Sequence, residues 1–354
     1  MTLAITTSEK VLEIATLLIV SMATIIGNIL ILIIIFMNQG LRTHVNACVG
    51  NLCITGILIG SFNIPMTMVS IGSGDWPFDA AVCQFVGFFN MLTLVESVIS
   101  LGVISVNRFI MISHHQIYSK IFNFRHTSII LAASWLFSGS ISLPPAIGWA
   151  SYKYIATQSI CFCDWKHSVS YTVFMFCLCF TAPFGIMTFC YTKLILAFRR
   201  SHNRVRARSP QKRNDELIQP RDEMPVSETT ISLVPFEQNR LNVPKRKDKI
   251  IPEEMKLTIS LMVVVVTFVL SWLPFCVEMF ITVFSEVTLN RAGSMTVLVL
   301  GLANSAYNPI IYGIMNKQYQ EGFKKICPKC WKRQNITTNK ELIVSPSSLT
   351  TSHS

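Results

Sequence analysis

Apolar residues gather in seven long runs separated by polar segments, at about 11–37, 45–71, 82–110, 127–149, 169–197, 256–285 and 293–315. Each run is long enough to cross a hydrocarbon core of ~30 Å with some tilt. Lipid offers the backbone no hydrogen-bond partners, so such segments fold as helices, and the period-two alternation of a membrane barrel is missing. The pattern predicts an all-α membrane protein, a seven-transmembrane helix bundle. Beyond the last run, Tyr319, Phe323 and Ile326 recur at helical spacing beside Lys324 and Lys325. This predicts a short amphipathic eighth helix over 316–326, lying along the membrane surface. Residues 1–10 precede the bundle. The loop at about 198–254 mixes prolines with charge of both signs and has no sustained hydrophobic period, so it reads as mostly disordered between helical extensions of its flanking spans. Residues 327–354 form a Ser/Thr-rich tail.

Composition strengthens the membrane reading. The 354-residue chain is 51% hydrophobic and 14% charged, against about 25% charged in a typical soluble domain. Its net charge of +11 is concentrated on one side of the bundle. Arg199, Arg200, Arg204, Arg206, Arg208, Lys245, Arg246, Lys247 and Lys249 share one loop, and Lys317, Lys324, Lys325, Lys329, Lys332 and Arg333 follow the last span. The opposite connections hold Lys10, Lys153, Lys166 and Arg291. Basic residues mark the cytoplasmic side, so a multi-pass plasma-membrane protein with its N-terminus outside is expected. The same charge attracts anionic membrane lipids, and nucleic acid is not an expected partner. The first ten residues hold no basic n-region or cleavage site, so the first span serves as signal anchor.

Most of the eleven cysteines sit in apolar runs, where a thiol behaves as a small hydrophobe. On the oxidising side, Cys83 can bridge to Cys161 or to Cys163. Cys327 and Cys330, just past the amphipathic helix, are palmitoylation candidates. The spans show no nucleophile–base set and no metal-ligand cluster at helical spacing, so neither an enzyme nor a metal or cofactor is expected. A transporter would show paired intramembrane charges or internal repeats. No repeat is evident, and Glu96 is the acid standing deep in a span. It is either a substitute charge or, the favoured reading, a protonated neutral group hydrogen-bonding within the bundle.

Short polar signatures occur in a fixed order. Gly27-Asn28 lies in the first span, Asn51-Leu52 in the second, Cys83 and Asn107-Arg108-Phe109 in the third, and Trp135 in the fourth. Pro183 and Tyr191 lie in the fifth, Phe268, Trp272 and Pro274 in the sixth, and Asn308-Pro309-Ile310-Ile311-Tyr312 in the seventh. Over about residues 11–330 the chain resembles rhodopsin-like (class A) G-protein-coupled receptors. The stretch from Asn107 through His114-His115 to Tyr118 and Ile121 is similar to melatonin receptors and to insect Moody-type receptors, with Pro309 favouring the latter.

The resemblance implies a receptor that signals to a heterotrimeric G-protein by outward movement of the sixth helix, with arrestin and receptor kinases meeting the Ser/Thr-rich tail. It assigns switch or coupling roles to Asn107, Arg108, Phe109, Tyr191, Glu254, Phe268, Pro274, Asn308, Pro309 and Tyr312. Glu254 becomes the resting partner of Arg108, which is costly to place in lipid unpaired. The pattern Cys161-Phe162-Cys163-Asp164-Trp165 resembles loops whose first cysteine pairs with the third span, implying Cys83–Cys161. Asn107 stands where the family has an acid, so a weaker resting restraint and raised basal signalling are expected. Gly56 stands where the family has the aspartate of a buried sodium site, which should be absent or weakened although Ser97, Asn304 and Ser305 remain.

The resemblance also bounds the ligand. Asn90 replaces the aspartate of amine receptors, and Leu302 the lysine of opsins. The implied ligand-facing set is Asn90, Met91, Leu94, Val95, Met175, Phe176, Cys179, Trp272, Phe275, Cys276, Glu278, Met279, Leu298 and Leu302. Its apolar character suits a lipophilic or neutral small molecule anchored by Asn90 and Glu278. A short peptide, or a transporter in place of a receptor, are the alternatives.

Overall fold

A computed structural model describes residues 6–197, 199, 250–285, 287 and 289–326, with the backbone alone at 250–255. The loop, tail and palmitoylation candidates Cys327 and Cys330 lie outside the described residues. The helices are Thr7–Met37, His44–Ser73, Ala80–Ser113, Phe124–Ser142, Val169–Ala197, Ile250–Phe284 and Arg291–Met315, referred to as the first to seventh spans. A short helix, His115–Ile121, joins the third span to the fourth, and the amphipathic helix Lys317–Ile326 follows the seventh. The fold is thus a seven-helix bundle with a short eighth helix.

Local sequence explains where the helices begin. Thr6 and Glu9 form a reciprocal capping box at the first span. Thr43, Asp79, Asn123, Ser168 and Asn290 each accept a backbone N–H from the first turn of the second, third, fourth, fifth and seventh, satisfying donors that a helix start leaves open. Prolines shape the interiors. The second and fifth spans widen to π turns at Ile59–Asn63 and Cys177–Thr181, each ending two residues before a proline, Pro65 or Pro183. A proline ring cannot donate and crowds the carbonyl four residues back, and a wider turn relieves that crowding.

The fourth helix departs from the expected 127–149. It ends at Ser142 and passes into a 3-10 turn at Pro144–Ile147. Two successive prolines, Pro144 and Pro145, remove the donors that would continue it. Six of the seven helices are long and apolar enough to cross a membrane by length and composition. The fourth is shorter and diluted by Ser128, Ser134, Ser138, Ser140 and Ser142. Large apolar side chains such as Ile19, Phe36, Leu136, Phe189, Leu270 and Ile314 are exposed on the outside of the bundle, as a lipid-facing surface requires.

Between the fourth and fifth spans lies an antiparallel hairpin, β1 (Tyr152–Ile155) and β2 (Ile160–Cys163), paired Tyr152 to Cys163 and Ile155 to Ile160. Four ties hold it over one end of the bundle. A disulfide joins Cys83 to Cys161; Asn90 Nδ2 donates to the Cys161 carbonyl at 2.9 Å; Tyr152 donates to the Ser142 carbonyl; and Arg291 donates to the Ala156 carbonyl and to Ser159 at 2.7 and 2.8 Å. Gly87 lets the hairpin seat closely, since a Cβ there would stand 2.8 Å from the Tyr152 ring. Cys163 stays unpaired and buried, and its thiol is pushed up by burial, with Asp164 adding to the shift.

Candidate functional site

Under the hairpin lies a small cavity of about 30 Å³, lined by Asn63, Asn90, Thr93 and Leu94 from the second and third spans, Ile160 and Phe162 from β2, Trp272 and Phe275 from the sixth, and Leu298, Leu302 and Ser305 from the seventh. Its floor is Trp272, which packs edge-on to Phe275 with ring centroids 5.6 Å apart and lies flat enough on Gly301 that a Cβ there would come within 3.0 Å. Above it, between the hairpin and the sixth and seventh spans, is a cavity of about 310 Å³. Gln158 and Phe275 line both. Glu278, at the wall of the outer one, accepts from Ser294 and, at 3.1 Å, from Gln158.

These cavities sort the expected ligand set. Asn90, Leu94, Trp272, Phe275, Leu298 and Leu302 line the inner space, and Phe275, Glu278 and Met279 the outer. Met91, Val95, Met175, Cys179 and Cys276 are buried in helix packing and line neither cavity, while Phe176 stacks edge-on against Phe280 at 4.6 Å. Asn63, Thr93, Gln158 and Phe162 were not foreseen. Gln158 and Phe162 sit on the hairpin, whose alternating Tyr-Lys-Tyr-Ile and Ile-Cys-Phe-Cys strands around a turn are the signal that points to it. Residue 302 is leucine, so no amine is present there for an aldehyde to condense with.

At the opposite end, Arg108 lines a cavity of about 670 Å³ with Arg42, His44, Asn46, Met111, Lys256, Leu257, Lys317 and Glu321 among its walls. Among the described residues the cations outnumber the acid, so the recess they line is electropositive. Arg108 Nη1 lies 3.7 Å from Met111 Sδ. Asn107, where an acid was expected from the family, accepts from Tyr118 at 3.4 Å. The sixth helix runs past Glu254, but that side chain, and with it the expected Arg108–Glu254 pair, lies outside the described residues.

The two tyrosines given switch roles by the resemblance, Tyr191 and Tyr312, are both buried in this conformation. Tyr191 is buried, with Ser105 Oγ donating to its hydroxyl at 3.4 Å. Tyr312 is fully buried and stacks on Tyr319 of the amphipathic helix at 5.7 Å, while Tyr319 donates to Asn46 Oδ1 at 2.9 Å. Phe109 packs against His114 and Phe189, and Phe268 against Trp272. Pro274 and Pro309 both lie inside their helices.

Pro309 leaves the Ser305 carbonyl without its helical donor, and Asn28 Nδ2 from the first span takes that place at 3.0 Å, also donating to Thr24 at 2.8 Å. Asn28 thereby fills the space beside Gly56, where a Cβ would lie 2.7 Å from its amide nitrogen. The missing carboxylate of the second span has left no gap. Glu96 is fully buried, contrary to its lack of an evident partner in sequence. Its Oε1 accepts from Asn51 at 2.7 Å, Ser134 at 2.8 Å and Ser100 at 3.3 Å, and its Oε2 from Ser138 at 2.8 Å. Trp135 Nε1 completes the cluster by donating to Asn51 Oδ1 at 2.9 Å.

The fold recurs in a solved structure, and the sequence has known relatives. Squid rhodopsin superposes with a TM-score of 0.75 over 97% of this chain and 94% of that one, at 20% identity, a likeness of fold. Melanopsin-B of Gadus morhua is 26% identical over 318 residues, 88% of this chain and 47% of its own length. The G-protein coupled receptor moody of Drosophila melanogaster is 25% identical over 336 residues, 85% and 49%. The chain spans about half the length of these two relatives. The model of the seven-transmembrane receptor (rhodopsin family) matches residues 27–312. With that match covering most of the sequence, the chain belongs to the rhodopsin family of seven-transmembrane receptors.

Proposed function

We propose that the protein is a plasma-membrane receptor, N-terminus outside, that binds a lipophilic or neutral small molecule beneath the hairpin and passes the signal to a heterotrimeric G-protein. The observation that carries the reading is the pairing of a small, mostly apolar cavity at one end with an electropositive recess around Arg108 at the other. A ligand at Trp272 acts on the sixth helix at the turn bearing Pro274, two residues on. Outward swing of that helix widens the recess, and the partner selects the widened state. Tyr191 and Tyr312 then turn toward Arg108. Arrestin and receptor kinases act at the Ser/Thr-rich tail, where phosphate adds dense negative charge. Palmitoylation of Cys327 and Cys330 holds the amphipathic helix on the membrane.

The test is ligand-free nucleotide exchange on purified G-proteins of several classes. Wild type should show basal exchange, Arg108→Ala should abolish it, and Asn107→Asp should lower it. Absence of exchange with every G-protein, with and without a ligand that stabilises the receptor, overturns the coupling.

A further inference from the structure

Two buried amides beneath the hairpin have orientations fixed by their neighbours. Asn63 Nδ2 lies 2.8 Å from Thr93 Oγ1. The Thr93 hydroxyl directs its own hydrogen at the Phe89 and Asn90 carbonyls, at 3.0 and 3.1 Å. With its hydrogen so directed it accepts from Asn63, whose amide nitrogen faces it. Asn90 Nδ2 faces the Cys161 carbonyl at 2.9 Å, and a carbonyl also only accepts. Both side chains line the inner cavity, and they are 3% and 4% exposed. Neither Oδ1 has a hydrogen-bond partner among the described residues.

Gln158 and the two asparagine amides each direct one N–H at a protein acceptor, Gln158 Nε2 at Glu278. Thr93, Ser305 and the indole N–H of Trp272 are the other polar groups on the walls, and the rest are apolar. The inner cavity of about 30 Å³ has room for roughly two water-sized groups at ~10–15 Å³ each. Through Gln158 and Phe275 it adjoins the outer cavity of about 310 Å³.

We propose that the inner cavity is a subsite for a neutral hydrogen-bond donor, with the body of the ligand in the outer cavity and an O–H or N–H group reaching past Gln158 and Phe275 to Asn63 Oδ1 or Asn90 Oδ1. The chemical class is a lipophilic alcohol or secondary amide. A carboxylate or phosphate sets acceptor against acceptor, and a hydrocarbon leaves both buried carbonyls unmet. The proposal rests on the reading of this end as the ligand site and is independent of coupling to a G-protein.

The probes are phenylalkanols of graded length with their methyl ethers, N-methyl phenylalkanamides with their N,N-dimethyl forms, and the matching phenylalkanoates. The readout is the melting temperature of the full chain in nanodiscs. Alcohols and N-methyl amides should raise it, with an apparent affinity at least about 10-fold above their capped partners and the carboxylates. Asn63→Leu, its folding checked by its ligand-free melting, should bring alcohol and ether to within about twofold of each other. Equal binding of the capped compounds to wild type, preferential binding of the carboxylates, or no shift with any member overturns the proposal. The wild-type comparison decides the matter even where Asn63→Leu does not fold. A chain that drives nucleotide exchange but shows no donor preference loses the subsite alone; one with the preference and no exchange loses only the coupling.

Discussion

Two clusters of buried polar groups lie within the same helices and are finished differently. Around Glu96, side chains of the second, third and fourth spans meet with every carboxylate oxygen receiving donors. On the first and seventh spans, Asn28, Asn304, Asn308 and Tyr312 are buried too, yet Asn28 Oδ1, Asn304 Oδ1, Asn308 Oδ1 and the Tyr312 hydroxyl have no partner among the described residues. A satisfied network is costly to rearrange, whereas orphaned groups gain by finding new partners. By this measure the Glu96 cluster is the costlier of the two to rearrange, and the groups on the first and seventh spans have contacts still to gain.

The largest effect tests the Glu96 cluster. Glu96→Ala takes the acceptor from four donors, of which Ser134 and Asn51 keep a second partner, and should cost about 3–5 kcal/mol, seen as a steep fall in melting temperature in nanodiscs; Glu96→Gln, which keeps one acceptor oxygen, should lose about half as much. A mild Glu96→Ala would erase the distinction between the two clusters. Next comes Gly56→Asp, which must displace the Asn28 amide at 2.7 Å and with it the donor to Ser305; about 1–3 kcal/mol of stability should be lost in the same assay. Tyr319→Phe removes the hydroxyl bond to Asn46, about 1 kcal/mol. It should loosen the seat of Tyr312 and raise ligand-free nucleotide exchange by no more than about fivefold. The smallest test is a pair with opposite signs. Ser138→Ala takes a donor from Glu96 and should destabilise by about 1 kcal/mol, while Asn304→Leu removes an orphaned carbonyl and should be neutral or stabilising by up to about 1 kcal/mol. Equal losses from the pair would show that the two clusters are equally well satisfied.

Much of the bundle was legible because membrane burial writes itself into long apolar runs. The fourth helix was harder. Its serines dilute the hydropathy that defines a span, and Pro144 and Pro145 stop it within a stretch that still reads as apolar. Glu96 illustrates a different limit. Its donors come from positions 51, 100, 134 and 138, so no local window contains the cluster. The four-residue spacing of Ser134 and Ser138, on one helix face, is the trace it leaves. The ligand-facing residues were blurred for a related reason. An inward Met or Cys in an apolar helix serves packing as well as binding, and Met91, Met175, Cys179 and Cys276 are buried and line neither cavity. The hairpin brought Gln158 and Phe162 to the cavity from a loop where helical periodicity says nothing.

Asn28 and Pro309 carry a consequence for how this gene can change. The proline strips the Ser305 carbonyl of its donor, and the asparagine, nearly the whole chain away in sequence, supplies another. Replacing Pro309 with alanine would return that carbonyl to its own helix and leave the Asn28 amide with one partner fewer; replacing Asn28 alone would strand the carbonyl. Each single substitution passes through a poorly satisfied intermediate, so the two positions are expected to change together. A descendant that has lost one of them is expected to have altered the other, a signature that comparison of sibling sequences can find without any measurement of stability.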